Sequence, residues 1–245
     1  MPDLTLDMQD DYPWLPGSTR FPVADLGELA ARLGSPVTFD RRGEVLWYDI
    51  GNHGLSAYTV GGSGYRNEIY VDCAYTLHGG YTYKMVAGSD SDLYSYLVKI
   101  LSNIGLQHMG LEVAFALLTP NDYFLISALF FDGSQMHRGI IKVKGSEQTL
   151  CYEDKNGNDI PLLSGIKFDD PYGVTHHIKL VMNFETGYYE RLLFDTYRIS
   201  LADIQEHKSN APDIPQYRLR LRQQGRLGYN DTVAVFHIIV TGNET

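Results

Sequence analysis

Residues 176–201 alternate apolar and polar side chains in a pattern that predicts a β-hairpin. Ile178 and Leu180 fall on one face of an extended chain, and Lys179 falls on the other. A turn containing Gly187 interrupts the alternation, which then resumes. Period-two apolar spacing broken by a glycine-containing turn is typical of a strand–turn–strand unit.

The same reading along the rest of the chain predicts about a dozen short strands at regular spacing, which indicates an all-β sandwich or barrel. Residues 90–104 fit both a helical and an alternating template, and we interpret them as a strand because their neighbours are strands. A capped apolar pattern over 25–33 predicts one short helix. We therefore expect an arm with a short helix over 1–36 and a single domain over 37–245.

Charge and hydropathy argue against nucleic acids and membranes as partners. The formal net charge is −10 and the sequence pI is about 5.2. This balance argues against general nucleic-acid binding and against electrostatic attachment to a membrane. No apolar run approaches the roughly 20 residues of a spanning helix, and no basic-then-apolar leader is evident. We expect a soluble protein, cytoplasmic by default, with Cys73 and Cys151 as two reduced thiols, although a disulfide between them stays open.

The arginine ladder of residues 217–222 is the clearest cluster of charge. Arg218, Arg220 and Arg222 alternate with apolar residues, so all three guanidinium groups share one strand face. Such a strip suits carboxylates or phosphates. The alternative, which we favour at this point, is an exposed face whose arginines pair with acids on neighbouring strands.

The order of elements resembles the concanavalin A-like lectin and glucanase jelly roll. The segments that carry the resemblance are 80–85, 110–115, 131–133, 150–157, 176–201 and 231–241. Residues 30–36 and 39–43 are also similar to the start of a group of uncharacterised microbial domains of this type. The resemblance implies two curved antiparallel sheets, with a concave face open to an extended ligand.

The hydrolases of this superfamily carry a Glu-x-Asp-x-x-Glu strand, which this chain lacks. Glu68 and Asp72 stand four residues apart on one predicted strand, and Glu112 stands alone. Glycosidases need two carboxylates at a set separation. This departure argues against a glycoside hydrolase, which stays a less favoured alternative. A polysaccharide lyase, which would use His, Tyr and Arg groups, is a further alternative.

Candidate ligand-binding side chains are the polar, aromatic and basic groups on predicted strand faces. They are Arg66, Glu68, Tyr70, His137, Arg138, His177, Lys179, Tyr189, Arg191, Arg218, Arg220 and Arg222. No catalytic residue and no cofactor are predicted. A structural calcium ion is an alternative, with Asp132, Asp169 and Asp170 as oxygen donors, because jelly rolls often hold calcium between loops.

These observations favour a non-enzymatic domain that binds a glycan. The 18 tyrosines support that reading, because a tyrosine ring suits sugar stacking and its hydroxyl seeks a partner. Tyrosines also mark protein interfaces. The alternative is therefore an assembly protein that forms homo-oligomers through its arm and its tyrosine-rich faces.

Overall fold

The computed structural model describes residues 42–63, 68–73, 81–88, 93–102, 108–168 and 174–244. The chain divides into two units, Met1–Arg41 and Arg42–Thr245. The first unit, and with it the predicted arm and helix, lies outside the described residues. In the second unit, Cys73 is exposed, Cys151 is buried, and both thiols are free.

Regular structure in the described part of the chain consists of β-strands and one turn of 3-10 helix, Leu55–Ala57. The strands are β1 (Glu44–Asp49), β2 (Thr59–Ser63), β3 (Glu68–Asp72), β4 (Thr82–Val86), β5 (Tyr94–Ser102), β6 (His108–Leu117), β7 (Tyr123–Phe131), β8 (Gln135–Lys144), β9 (Thr149–Glu153), β10 (Asp159–Ser164), β11 (His176–Asn183), β12 (Tyr188–Phe194), β13 (Tyr197–Ser200), β14 (His207–Asn210), β15 (Gln216–Gln224) and β16 (Thr232–Gly242). The prediction of a strand within 90–104 is confirmed by β5.

The strands form two antiparallel sheets. Sheet A has the order β13-β12-β11-β6-β16-β4-β3, and β1 also pairs with β16. Sheet B has the order β10-β9-β8-β7-β15-β5-β2, and β14 also pairs with β8. The predicted hairpin is confirmed, because β11 pairs antiparallel with β12. No described segment forms a helix with the length and hydropathy that crossing a bilayer would take.

Alternation along the strands builds the core between the sheets. Ile178 and Leu180 of β11 are fully buried there, together with Phe115 of β6 and Phe124 of β7. The rings of Phe115 and Phe124 lie 5.2 Å apart between their centroids, so they join the two sheets. Sheet-on-sheet packing of this kind buries one face of each sheet and leaves the other face for polar groups or ligands.

One carboxylate inside the domain is held by two tyrosines. The buried Asp49 Oδ2 accepts hydrogen bonds from the hydroxyls of Tyr58, at 2.6 Å, and Tyr83, at 2.7 Å. Burial raises the pKa of both tyrosines, and the Asp49 carboxylate raises it further. The triad therefore links β1, the segment after the 3-10 helix and β4 through satisfied polar groups.

Candidate functional site

The arginine ladder lies on the outer face of sheet B. On β15, Leu219 and Leu221 point into the core and are fully buried, whereas Arg218, Arg220 and Arg222 point away from it and are half-buried. The alternation that places them there follows from the two-residue period of a strand. Because β15 is an inner strand between β5 and β7, the ladder runs along the middle of the sheet.

Strand β5 places aromatic side chains beside the ladder. Its register sets Tyr96 opposite Arg222 and Val98 opposite Arg220. The rings of Tyr94 and Tyr96 lie 6.2 Å apart between their centroids. Tyr96 reaches across β2, where Gly61 makes room for it: a Cβ at Gly61 would lie 2.5 Å from the tyrosine oxygen.

Together these side chains line a pocket of about 200 Å³. Its lining residues are Tyr94, Tyr96, Val98, Leu129, Arg218, Arg220 and Arg222. We call this the sheet B pocket. It offers two aromatic rings, an apolar floor and three guanidinium groups.

Two of the three arginines are anchored by neighbours. Arg218 forms an ion pair with Asp213 and lies 4.3 Å from the centroid of the Phe131 ring. Arg222 donates a hydrogen bond of 2.6 Å to Gln224 Oε1 and lies 3.8 Å from the centre of the Tyr94 ring. Stacking of a guanidinium on an aromatic ring fixes its orientation.

Arg220 differs from its two neighbours. Among the described residues it has no ion pair, no ring partner and no hydrogen-bond partner for its buried Nε. Burial lowers the pKa of Arg220, and the positive charges of Arg222 and Arg138 lower it further. Within the described ranges only Arg218 has an acidic partner, and that partner, Asp213, lies in the loop before β15. The expected pairing of the ladder with acids on adjacent strands is therefore not seen among these residues.

A network centred on Glu153 borders the ladder on the same face. Arg138 pairs with this buried carboxylate at 2.7 Å, His207 approaches it at 3.3 Å, and Lys142 lies 3.9 Å from it. Lys142 also pairs with Asp159 at 2.6 Å. Glu153 is thus committed to three basic groups, and Arg138 has its own counterion.

Three other predicted ligand residues lie on the outer face of sheet A and are not near this pocket. Lys179 is fully buried, and its Nζ lies 2.8 Å from Glu244 Oε1, while Arg191 lies 2.5 Å from Glu244 Oε2. The ring of His177 is tilted against that of His237, with 5.5 Å between ring centroids. Lys179 and Arg191 therefore form a buried ionic cluster with Glu244 and do not offer an open surface to a ligand.

Tyr189 is also a predicted ligand residue that the structure places in the core. It is fully buried, and its hydroxyl accepts a hydrogen bond from the Ile140 amide at 3.0 Å and donates one to the Glu153 carbonyl at 2.9 Å. Burial raises its pKa. Its ring bridges the two sheets, so it does not offer a face to a ligand.

The remaining predicted residues are spread over the edge of sheet A and the undescribed segments. Glu68 and Tyr70 lie on the edge strand β3, where Lys84 lies 5.5 Å from the Tyr70 ring. Arg66, Asp169 and Asp170 lie outside the described residues, and their predicted roles stay predictions. Glu112 is fully buried on β6, and His237 lies 3.4 Å from it.

Asp132, the third predicted calcium donor, is engaged in its own turn. Its Oδ1 accepts hydrogen bonds from the amides of Ser134, at 2.8 Å, and Gln135, at 2.7 Å, and its Oδ2 lies 3.2 Å from His137 Nε2. The part of the chain that the structure describes contains no group of three or more His, Cys, Asp or Glu side chains that could hold a metal ion. Calcium at this turn remains an untested prediction.

His137 is clamped between two carboxylates at the core side of sheet B. Its Nδ1 lies 2.6 Å from Glu206 Oε1, and its Nε2 lies 3.2 Å from Asp132 Oδ2. The hydrogen bond to Glu206 raises the pKa of His137, and the one to Asp132 adds to this, whereas burial and the charge of Lys208 act in the opposite direction. The amides of Gln135 and Ser134 lower the pKa of Asp132.

This clamp predicts a pH dependence of stability. Because the pKa of His137 is higher in the folded state than the roughly 6.5 of an unfolded histidine, its contribution is complete below that value and declines as the pH rises through the folded-state pKa. The contribution of Asp132 is also stabilising but has the opposite pH dependence, since it is complete above about pH 3.9 and is lost as the pH falls.

Urea unfolding of the wild type and of His137→Gln at pH 5.5, 7 and 8.5 measures this effect. We expect the stability difference between the two proteins to be largest at pH 5.5 and smallest at pH 8.5. A difference that stays constant, or grows with pH, would contradict the clamp.

Sequence reasoning found the ladder but missed its partners in the pocket. Tyr94, Tyr96, Val98 and Leu129 were not predicted as site residues. The alternation of Tyr94, Tyr96 and Val98 was a usable signal for a shared strand face. Their position beside the ladder depends on the pairing of β5 with β15, which local sequence does not encode.

Comparison with known proteins gives information on the fold of this chain. No family model matches the chain, and no curated protein matches it. Among solved structures, a sialidase aligns with a TM-score of 0.54 at 10% identity, covering 82% of this chain and 19% of the sialidase. The chain therefore spans about a fifth of that protein.

Two further structures are matched over nearly their full length. An endo-β-1,4-glucuronan lyase from the fungus Trichoderma reesei aligns with a TM-score of 0.53 at 13% identity, over 82% of this chain and 96% of the lyase. A protein with a galectin-like fold from Bacillus subtilis aligns with a TM-score of 0.52 at 8% identity, over 82% and 97%. The fold is a concanavalin A-like jelly roll. The predicted all-β class and the two-sheet sandwich are confirmed.

Proposed function

We propose that this jelly roll is a non-enzymatic domain that binds a glycan in the sheet B pocket. The observation that carries the proposal is the combination of Tyr94 and Tyr96 with three guanidinium groups in one depression. Tyrosine rings pack against the apolar faces of sugars, and guanidinium groups donate several hydrogen bonds in a fixed geometry.

The size and lining of the pocket suit binding of a single sugar unit within a longer chain. Its volume of about 200 Å³ is below the roughly 300 to 1,000 Å³ of pockets for drug-sized ligands. None of its described lining residues is Asp, Glu or His. Glycosidases need a pair of carboxylates at the bond that they cleave, so this lining favours binding over hydrolysis.

The comparisons support a carbohydrate partner in general terms. Structures with this fold include proteins named as a sialidase, a glucuronan lyase and a carbohydrate esterase from a Shiga toxin-encoding bacteriophage, the last with a TM-score of 0.52 at 14% identity. At these identities the likeness concerns the fold, and function has to be argued from the site.

A glycan array with the wild type and two variants tests the proposal. We expect the wild type to bind a subset of glycans and Tyr96→Ala to bind them about 10-fold more weakly, because a half-buried aromatic ring of the pocket is lost. The control is Tyr197→Ala, which removes a half-exposed tyrosine from the edge strand β13 of sheet A and should bind like the wild type.

Two outcomes would contradict the proposal. If no glycan binds at high protein concentration, the domain is not a glycan-binding module. If the wild type releases products from a polysaccharide panel, the site belongs to an enzyme. Oligomerisation through the N-terminal arm remains a separate prediction, because the arm lies outside the described residues.

A further inference from the structure

One of the three guanidinium groups in the sheet B pocket lacks the anchors that hold the other two. Arg218 has Asp213, and Arg138 has Glu153, but Arg220 has neither an ion pair nor a ring partner within the described ranges. Arg220 lies between the other two arginines of the ladder and opposite Val98. A half-buried guanidinium without a counterion is costly unless a ligand supplies one.

We infer that the glycan carries an anionic group, a carboxylate or a sulfate, and that Arg220 binds it within the sheet B pocket. This inference rests on the proposed function and names the class of sugar. A planar guanidinium can donate two parallel hydrogen bonds to a carboxylate or sulfate, which gives both strength and orientation.

The anchors of the neighbouring arginines explain why Arg220 is the residue that meets the anion. Arg218 is committed to Asp213 and to the face of Phe131. Arg222 is held by Gln224 and the face of Tyr94. Arg222 has no acidic partner among the described residues, so its charge adds to the positive potential of the pocket, while Arg220 retains donors for a ligand.

The concentration of positive charge is local, which favours a sugar over a nucleic acid. The chain has a net charge of −10, so a long polyphosphate would meet repulsion outside the pocket. The pocket holds about 200 Å³, which suits one charged sugar unit and not an extended phosphate backbone. An oligonucleotide is therefore a competitor in the test and not the expected ligand.

Calorimetric titration with matched pairs of oligosaccharides tests the inference. One pair is an oligogalacturonide and its neutral methyl ester, and the other is a sulfated galactan oligosaccharide and its neutral desulfated form. We expect at least one acidic member to bind about 10-fold or more tightly than its partner, with an affinity that falls as salt is added.

Variants assign that preference to Arg220. In Arg220→Gln we expect the affinity for the acidic member to fall by about 10-fold to 100-fold, the range of one charge-assisted hydrogen bond, with little change for its neutral partner. Arg220→Lys keeps the charge without the bidentate geometry. Its affinity for the acidic member should therefore lie between that of the wild type and that of Arg220→Gln. Arg198→Gln is the matched control, because it neutralises an exposed arginine on β13 of sheet A.

The outcomes separate this inference from the proposed function. Equal binding of acidic and neutral members overturns the inference while glycan binding survives. An unchanged acidic affinity in Arg220→Gln overturns the role of Arg220. Equal competition by an oligonucleotide of the same charge overturns the assignment to a sugar. Absence of binding to any glycan, charged or neutral, overturns both proposals.

Discussion

Replacing Phe115 by alanine is expected to lower the free energy of unfolding by about 3 to 5 kcal/mol, the cost of emptying a large buried aromatic site. Phe115 is fully buried on β6, and its ring lies 5.2 Å from Phe124 in the other sheet and 5.7 Å from His176 on β11. The substitution removes a contact between the sheets and leaves a cavity that rigid strands cannot close. Urea unfolding monitored by circular dichroism measures the change.

Leu227→Ala is the control for this prediction. Leu227 is 75% exposed in the loop before β16, so its truncation should change the unfolding free energy by less than about 0.5 kcal/mol. If Phe115→Ala destabilised the protein no more than Leu227→Ala does, the packing of the two sheets around Phe115 that we describe would be wrong.

Replacing Glu244 by glutamine is expected to destabilise the domain by about 3 kcal/mol or more, because removing one partner leaves buried charges without their counterion. Glu244 is paired with Lys179 and Arg191, and the side chains of Glu244 and Lys179 are fully buried. Gly110 makes room for the cluster, since a Cβ there would lie 2.5 Å from Glu244 Oε1. Glutamine has nearly the same shape, so the loss reports the charge.

Glu185→Gln is the matched control, because Glu185 lies exposed in the turn between β11 and β12. We expect its unfolding free energy to stay within about 0.5 kcal/mol of the wild type. A loss below about 1 kcal/mol in Glu244→Gln would show that the cluster on sheet A contributes little to stability.

The hairpin shows how far local sequence could predict the fold. Alternation along β11 correctly assigned Ile178 and Leu180 to the core and Lys179 to the opposite face. Alternation fails on β12, where two-residue spacing would put Tyr189 and Arg191 on one face. The pairing register with β11 shifts between Val181 and Met182, and the irregularity leaves Tyr189 in the core. An extra residue in a strand reverses the faces beyond it, and local alternation does not reveal it.

The candidate site was predictable only in part for a related reason. The period of β15 placed three arginines on one face from sequence alone. The environment of each arginine depends on contacts distant in sequence: Tyr94 on β5 stacks on Arg222. Arg218 takes its partner Asp213 from a loop, which strand alternation does not describe.

The glycan site on sheet B is tested most directly by amide chemical-shift mapping of the domain with a bound acidic oligosaccharide. We expect the largest shifts on β5 and β15, around Tyr96, Val98 and Arg220, and smaller shifts in Arg220→Gln at the same subsaturating ligand concentration. Shifts confined instead to the hairpin of β11 and β12, or to other parts of sheet A, would contradict a glycan site on sheet B.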